Sequence, residues 1–195
     1  MMRPRTLLAD RDGAALVEFA LVAPVLLLML LGIFDMGYNY YVQSQLQGAI
    51  QKAARDSGIE GAHSRMGEID ARVTDAVHAI VPGAEVTFSR KAYARFSDVA
   101  RPEDFSDIDG NGVCSGGEPF EDVNGNGIWD EDRGSEGQGG ARDAVLYVVT
   151  VSYRRLFGVT AFVGLPQTFT TQATTVLRNQ PYAEQDLSQA VGSCA

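Results

Sequence analysis

Oxygen-bearing side chains recur at alternate positions in the middle of the chain, a spacing that suits a hard cation. The run DIDGNGVCSGGE fits the twelve-residue calcium-loop pattern D-x-[DN]-x-[DN]-G-x5-E, and Gly112 stands where that loop turns sharply. Calcium takes about six to eight oxygen ligands, which alternate residues of a tight loop can aim inward. The predicted donors are the side chains of Asp107, Asp109, Asn111 and Glu118 and the backbone carbonyl of Val113.

A near-copy of this pattern, DVNGNGIWDEDR, follows at once, beginning 15 residues after the first. Its twelfth position is Arg133 where the pattern requires an acid, so we expect Asp132, Glu131 or Glu121 to supply the missing carboxylate. Two near-copies in sequence favour calcium binding more than one would. The other predicted donors of this second loop are Asp122, Asn124, Asn126, the carbonyl of Ile128 and Asp130.

The acidity of the chain is concentrated around these two loops. The formal net charge is -9, and residues 98–143 alone hold 13 carboxylates against three arginines. This distribution favours a cation site and argues against nucleic acid as a ligand. The segment is too acidic and glycine-rich to form an apolar core. Prolines near the loops interrupt the helices that would flank an EF-hand loop. The alternative is a disordered acidic segment that attracts cations diffusely.

The cysteines and histidines do not suggest catalysis. Cys114 and Cys194 are too few for a disulfide framework and lack metal-ligand spacing, but one bridge would form in an oxidising compartment; two unpaired thiols are the alternative. Neither histidine is paired with a nucleophile, and no phosphate-binding loop accompanies the carboxylates. We therefore expect a protein that is not an enzyme, with calcium as its cofactor.

A membrane span is predicted near the N-terminus. Residues 14–34 read AALVEFALVAPVLLLMLLGIF, which as a helix is roughly 31 Å long, enough to cross the hydrocarbon core. Arg3, Arg5 and Arg11 precede it and the next basic residue is Lys52, so the positive-inside rule places the N-terminus in the cytoplasm. The rest of the chain is then expected in the periplasm.

A cleaved secretory signal peptide is the competing interpretation of the same segment. Three observations count against it: the apolar run is long, no small-x-small cleavage site closes it, and the helical pattern continues through residues 35–55. An apolar stripe in that continuation predicts a helix that runs on beyond the span. The stripe consists of Val42, Leu46, Ala49, Ile50 and Ala53.

Glu18 is a carboxylate inside the apolar segment, where a charge costs several kcal/mol unless it is partnered or reaches the interface. It lies near the cytoplasmic end, so one explanation is that it extends to the interface or stays protonated. The other begins at Gly13, because a cut after it would leave Ala14 with a free amine. That amine could neutralise the glutamate of an adjacent subunit and thereby lock the assembly.

These residues resemble the TadE-like pseudopilins of the tight-adherence (Tad) pilus system. In that family a prepilin peptidase cuts after a glycine, and a glutamate followed by an aromatic residue stands at the fifth and sixth mature positions. Gly13, Ala14, Glu18 and Phe19 match this spacing. The resemblance implies processing at Gly13 and Ala14, an assembly role for Glu18 and Phe19, and other pilin or pseudopilin subunits as partners.

The resemblance extends to Ala53, Ala54 and Arg55 after the span and to TTVLRNQPY near the C-terminus, residues 174–182. Within the span, Pro24 removes one helix hydrogen bond. Membrane helices tolerate this, and the residue is either a simple kink or a weak point at which the helix bends on leaving the bilayer.

The remaining pattern predicts an α+β domain, as the resemblance to pseudopilins also implies. A second helix is predicted to carry Ile69, Val73, Ala76, Val77 and Ile80 on one face. Strands are predicted over 85–92, 144–153 and 167–177. The last two strands would pair in antiparallel fashion. Their connection contains the apolar residues Leu156, Phe157, Phe162 and Val163. We expect these to close the core of the domain itself, with contact to membrane or to a neighbouring subunit as the alternative.

The sequence thus predicts a minor pilin or pseudopilin that serves pilus assembly and surface adhesion and carries calcium-binding loops. The alternative is a membrane-tethered adhesion module that never enters a filament. We predict a cytoplasmic leader at 1–13, a transmembrane helix at 14–34, its continuation at 35–58, and an extracytoplasmic domain at 59–195 with an insertion at 98–143.

Overall fold

The computed structural model describes residues 13–57, 65–181 and 190–195. The arginines before the span, the helix stop expected at Gly58 and the final residue of the late motif, Tyr182, lie outside the described residues. The chain divides into two compact units. Among the described residues, the first unit comprises 13–41 with Arg154–Phe169, and the second comprises the remainder.

The N-terminal helix α1 covers Ala14–Ser57 and continues through Pro24. Its first half is long and apolar enough to cross a membrane, with none of the apolar stretch buried inside the protein. Leu21, for example, is 74% exposed. A run of exposed apolar side chains on all faces requires an apolar environment, which agrees with the predicted single span.

The second half of α1 belongs to the second unit and packs on one face only. Val42, Leu46, Ile50 and Ala53 are at most 5% exposed, which confirms four of the five residues of the predicted stripe, while Ala49 is half-buried. Helix α2, Met66–His78, buries Ile69, Val73 and Val77 as predicted. Ala76 is exposed instead, and Ile80 is half-buried and lies after the end of the helix. A cavity lined by residues of both helices marks where they face each other.

A four-stranded sheet forms the centre of the second unit, in the order β3-β1-β4-β5. Strand β1, Glu85–Tyr93, pairs in antiparallel fashion with β4, Ala144–Arg154. Strand β5 is Thr168–Arg178, and β3 is the short edge strand Ser135–Glu136. Alternate residues of β4 have no exposed surface because they face the core; they are Val145, Tyr147, Val149 and Val151. The α+β prediction and its three strands are confirmed.

A polar cluster joins α2 to this sheet. Asp70 of α2 accepts a hydrogen bond from Nη1 of Arg90 at 3.0 Å, a second from Nη2 of Arg90, and one from the Tyr147 hydroxyl at 2.8 Å. The Arg90 guanidinium also stacks on the Tyr147 ring, 4.1 Å from its centroid. Burial, together with the hydrogen bond to Asp70, raises the pKa of Tyr147. The tyrosine therefore remains a neutral hydrogen-bond donor.

Asn179, from the late motif, connects three segments where β5 ends. Its amide nitrogen donates to the carbonyls of Gln138 and Gly140, each at 2.8 Å. The side chain of Gln138 donates in turn to Asn179 Oδ1 and to the carbonyl of Ser57, each at 3.1 Å. Asn179 is only 4% exposed. The asparagine thereby ties the C-terminal end of α1 to the end of the sheet.

The connection between β4 and β5 corrects one expectation. Leu156 and Phe162 are 61% and 81% exposed, so they do not close a core. The connection folds back on itself in the first unit, because Arg155 N–H donates to the carbonyl of Gln167 at 2.8 Å and Leu165 N–H donates to that of Thr160 at 3.0 Å. Leu156 and Phe162 consequently point outward, whereas Phe157 is half-buried.

A candidate cation-binding module

The first loop, residues 107–118, and the second loop, residues 122–133, have nearly the same backbone. In the first loop Gly110 and Gly112 have φ angles of 75° and 76°, and in the second loop Gly125 and Gly127 have 73° and 78°. These left-handed conformations strain any residue with a Cβ atom, so the fourth and sixth positions require glycine. The sequence repeat is thus a repeat in three dimensions.

The aspartate that opens each loop organises it in the same way. Asp107 Oδ1 accepts the backbone N–H groups of Gly110 and Asn111 at 2.7 and 3.1 Å, and Oδ2 accepts that of Gly112 at 2.9 Å. Asp122 accepts the N–H groups three, four and five positions later at 2.8, 3.1 and 2.9 Å. Both carboxylates therefore face the inside of their loops.

Three acids of the first loop converge. One carboxylate oxygen from each of Asp107, Asp109 and Glu118 lies within 4.8 Å of the other two. Two of these side chains are exposed, whereas Glu118 is 5% exposed. Carboxylate oxygens at this spacing fit a calcium ion, which takes oxygen ligands at about 2.3–2.6 Å. Three predicted donors of the first loop are thus brought together, and the Asn111 side-chain amide donates to Asp109 Oδ2 at 2.8 Å beside them.

Glu118 closes the first loop through the backbone. Its Oε1 accepts the N–H groups of Ile108 at 2.7 Å and Asp109 at 3.4 Å, and its Oε2 accepts that of Ser115 at 3.2 Å. These donors stand at the second, third and ninth positions. The twelfth residue therefore connects the beginning of the loop to its end.

In the second loop Glu103 has this role, although it precedes both loops in the chain. Its Oε1 accepts the N–H of Val123 at 2.8 Å and its Oε2 accepts that of Asp130 at 3.1 Å. These are the second and ninth positions, as for Glu118. The side chain of Glu103 is almost completely buried, since the residue is 1% exposed. Sequence reasoning missed Glu103 because the linear pattern looks for the closing acid at the twelfth position.

The other predicted acids of the second loop have different surroundings. Asp130 accepts the side-chain amides of Asn124 and Asn126 at 2.8 and 2.6 Å, so three predicted donors lie together. Asp132, by contrast, accepts hydrogen bonds from Lys91 Nζ at 2.8 Å and from the Tyr93 hydroxyl at 2.9 Å. The expectation that Asp132 completes the loop is corrected, because both partners belong to β1.

The pKa values of Asp132, Lys91 and Tyr93 follow from their mutual contacts. Burial acts to raise the pKa of Asp132, but hydrogen bonds from Lys91 and Tyr93 outweigh it and hold this pKa below its usual range. The hydrogen bond to Asp132 raises the pKa of Lys91, and burial, followed by the same carboxylate, raises that of Tyr93 to about 12. Asp132 is therefore a structural carboxylate that anchors the second loop to the sheet.

A small second sheet supports both loops and was not predicted. Strand β2, Pro119–Asp122, begins directly after the last residue of the first loop and ends at the first residue of the second. It pairs with β6, Ala190–Ser193. Phe120 of β2 is 2% exposed and lies against Gly192, where a Cβ atom would meet the phenyl ring at 2.2 Å. The segment thus has a small core after all.

A disulfide links this sheet to the first loop. Cys114, at the eighth position, is bonded to Cys194 with their Cα atoms 5.4 Å apart. The backbone N–H of Cys194 donates to the carbonyl of Glu118 at 2.8 Å, which extends the pairing of β2 with β6. The C-terminus is thereby fixed beside the closing acid of the first loop. We call residues 103–133 with β6 the cation module.

The predicted processing and assembly residues lie at the start of α1. Gly13 directly precedes the helix, and its carbonyl accepts the N–H of Val17 at 3.2 Å. Glu18 is exposed on the apolar surface, and Phe19 beside it is 65% exposed. Both side chains are therefore available to another molecule.

These features define a protein with one membrane-compatible N-terminal helix, an antiparallel α+β domain, and a disulfide-linked pair of acidic loops. A family model described as TadE-like protein matches residues 13–55. The match covers most of α1, includes Gly13, Glu18 and Phe19, and confirms the resemblance on which the sequence interpretation relied. Over these residues the chain is similar to TadE-like proteins, and the cation module lies outside the matched residues. Comparisons with curated proteins and with solved structures found no match.

Proposed function

We propose that the chain is a minor pilin or pseudopilin of a Tad-type pilus, a structural subunit with no enzymatic activity that serves assembly and surface adhesion. A prepilin peptidase cuts it after Gly13, and α1 holds it in the inner membrane with the domain in the periplasm until it joins other subunits. The observation that carries this proposal is the TadE-like match over α1, which includes a carboxylate on an exposed apolar helix surface.

The position of Glu18 supports an assembly role. An ionised carboxylate within a membrane span costs several kcal/mol unless it is paired, and none of the salt bridges among the described residues involves Glu18. Processing would create a positive charge at Ala14, four residues earlier in the chain. On assembly, the Ala14 amine of a neighbouring subunit would then pair with the Glu18 carboxylate and offset the free-energy cost of a charge in the apolar segment.

Glu18→Ala is expected to leave processing intact but to reduce strongly the amount of the chain in sheared pilus fractions. The control is Leu21→Ala, which shortens another exposed side chain of the same helix without changing charge. Immunoblots of membrane and pilus fractions measure both quantities. Wild-type recovery of Glu18→Ala in pili would contradict the assembly role, and absence of the wild-type chain from pili would favour the tethered adhesion module.

We also propose that both loops of the cation module bind calcium and that the ions stiffen the part of the domain that meets surfaces or other subunits. The support is the repeated geometry: each loop has an opening aspartate that faces inward, paired left-handed glycines and a buried closing glutamate. The backbone carbonyls of Val113 and Ile128 would add a ligand to each loop, as in other calcium loops of this pattern.

Asp107→Ala is expected to weaken calcium binding to the first loop by at least about tenfold, because the opening carboxylate is both a ligand and the acceptor of three backbone N–H groups. Isothermal titration of the full chain in detergent measures this loss. Glu136→Ala is the matched control, since it removes the same charge from an exposed side chain of the acidic segment outside the cation module. Equal weakening by both changes would indicate diffuse attraction rather than a site.

A further inference from the structure

The connection between β4 and β5, residues 155–167, is unusual for an exposed segment. It contains no ionisable residue after Arg155, and Leu156, Phe162 and Leu165 are 61%, 81% and 52% exposed. Large apolar side chains exposed together on one short segment indicate a surface that another apolar phase covers. We call this segment the apolar connection.

The apolar connection is attached to α1 at the end of the predicted span. Arg155 Nη1 forms an ion pair of 2.6 Å with Asp35 Oδ2, and Asp35 directly follows Phe34, the last residue of the apolar segment. Asp35 is 2% exposed and also accepts a hydrogen bond from Asn39 Nδ2 at 3.2 Å. A buried ion pair holds its geometry tightly, because separating the charges leaves one uncompensated. The connection is therefore fixed at the level where α1 would leave the bilayer.

The apolar connection is also ordered rather than extended. Residues Gly158–Val163 form a short 3-10 helix, which ends at Gly164 with a φ of 73°. The Arg155 guanidinium packs over the Phe169 ring, 4.9 Å from its centroid, and so joins the two ends of the connection. A closed turn of this kind presents Leu156, Phe162 and Leu165 at fixed positions, as an interfacial anchor requires.

We infer that the apolar connection is a membrane-surface anchor, inserted among the lipid head groups and upper acyl chains on the periplasmic side of the bilayer that α1 spans. The inference rests on the proposed span. It favours lipid over a protein partner because the connection has no charged side chain beyond Arg155, and because the Arg155–Asp35 pair joins it to α1 directly after the apolar segment. Aromatic and aliphatic side chains without charge suit this interface. The anchor would hold α1 at a fixed depth until the subunit is extracted.

The test places a nitroxide spin label on the full chain in vesicles of phosphatidylethanolamine and phosphatidylglycerol. Phe162→Cys carries the label, and the Cys114–Cys194 disulfide keeps the native cysteines unlabelled under non-reducing conditions. Leu26→Cys reports the span. Ile108→Cys is the water control, since Ile108 is 75% exposed and lies between two aspartates of the first loop. Collisions with oxygen and with a water-soluble nickel chelate measure membrane depth.

The label at position 162 is expected to collide more often with oxygen and less often with the nickel chelate than the label at position 108. Its collision rates should thus approach those of the label at position 26. If the label at position 26 is in lipid but the label at position 162 is as accessible to the nickel chelate as that at position 108, the anchor is overturned and the span stands. Position 26 in water would overturn the span and the anchor together. Shielding of position 162 that disappears when protein is diluted in lipid would indicate a second copy, which also overturns the lipid assignment.

Discussion

Glu103→Gln is expected to remove one of the two calcium ions proposed for the cation module and to destabilise the domain by about 2–4 kcal/mol. The carboxylate accepts two backbone N–H groups of the second loop while 1% exposed. A glutamine keeps one acceptor oxygen and turns an NH2 group toward the other donor. Hydrogen bonds to charged groups contribute about 1.5–3 kcal/mol each, and a buried donor left without an acceptor costs about 1–3 kcal/mol.

Glu121→Gln is the matched control, because Glu121 is exposed and the linear pattern had nominated it for the same role. It should bind two ions with unchanged stability. Isothermal titration gives the stoichiometry and chemical denaturation of the full chain gives the free energy of unfolding. Two ions bound to Glu103→Gln, or one bound to Glu121→Gln, would contradict the assignment of Glu103 as the closing acid.

Removal of the disulfide is expected to have the largest effect on stability. The double variant Cys114→Ala with Cys194→Ala frees a closed segment with a sequence separation of 80. Loop-closure entropy gives about 4–5 kcal/mol for a loop of this size. The same change releases β6 from the side of the first loop, so calcium affinity should fall along with the denaturation midpoint.

The wild-type chain under reducing conditions supplies the control for this variant. Reduction should lower the midpoint of chemical denaturation to the value of the double variant and should leave the double variant itself unchanged. A midpoint that is the same in the oxidised wild type and in the double variant would show that the bridge does not stabilise the domain.

The sequence predicted the elements whose signal is local. The stripe of α1, the buried face of α2 and the alternation in β4 each repeat within a few residues, and the structure buries most of the residues predicted there. The loop glycines were equally predictable, because only glycine adopts the left-handed backbone at those positions without strain.

The missed features depend on contacts between distant residues. Glu103 lies 19 positions before the second loop, and β6 pairs with β2 across some 70 residues of chain. Strands β2 and β6 have four residues each and no long alternating pattern. Composition also misled, because Phe120 forms a small core in a segment that its charge and glycine content excluded from one. Asp132 was misassigned because linear proximity could not reveal its partners on β1.

The proposed role as a pilus subunit depends on one covalent event, the cut after Gly13. It is this cut that would connect the membrane-compatible helix α1, the exposed Glu18 carboxylate and the TadE-like match. Only a cut after Gly13 gives the mature chain an N-terminal amine at Ala14. An uncut chain would retain its basic leader, and Glu18 would then have no assembly partner of the proposed kind.

The most direct test is therefore the intact mass of the chain purified from membranes of cells that express the whole pilus system. We predict the mass of a chain that begins at Ala14, and the full-length mass for a Gly13→Val variant, which should also be absent from pili. A wild-type mass that includes the leader in cells that still assemble pili, or a cut beyond Phe34 that removes the span, would contradict the account.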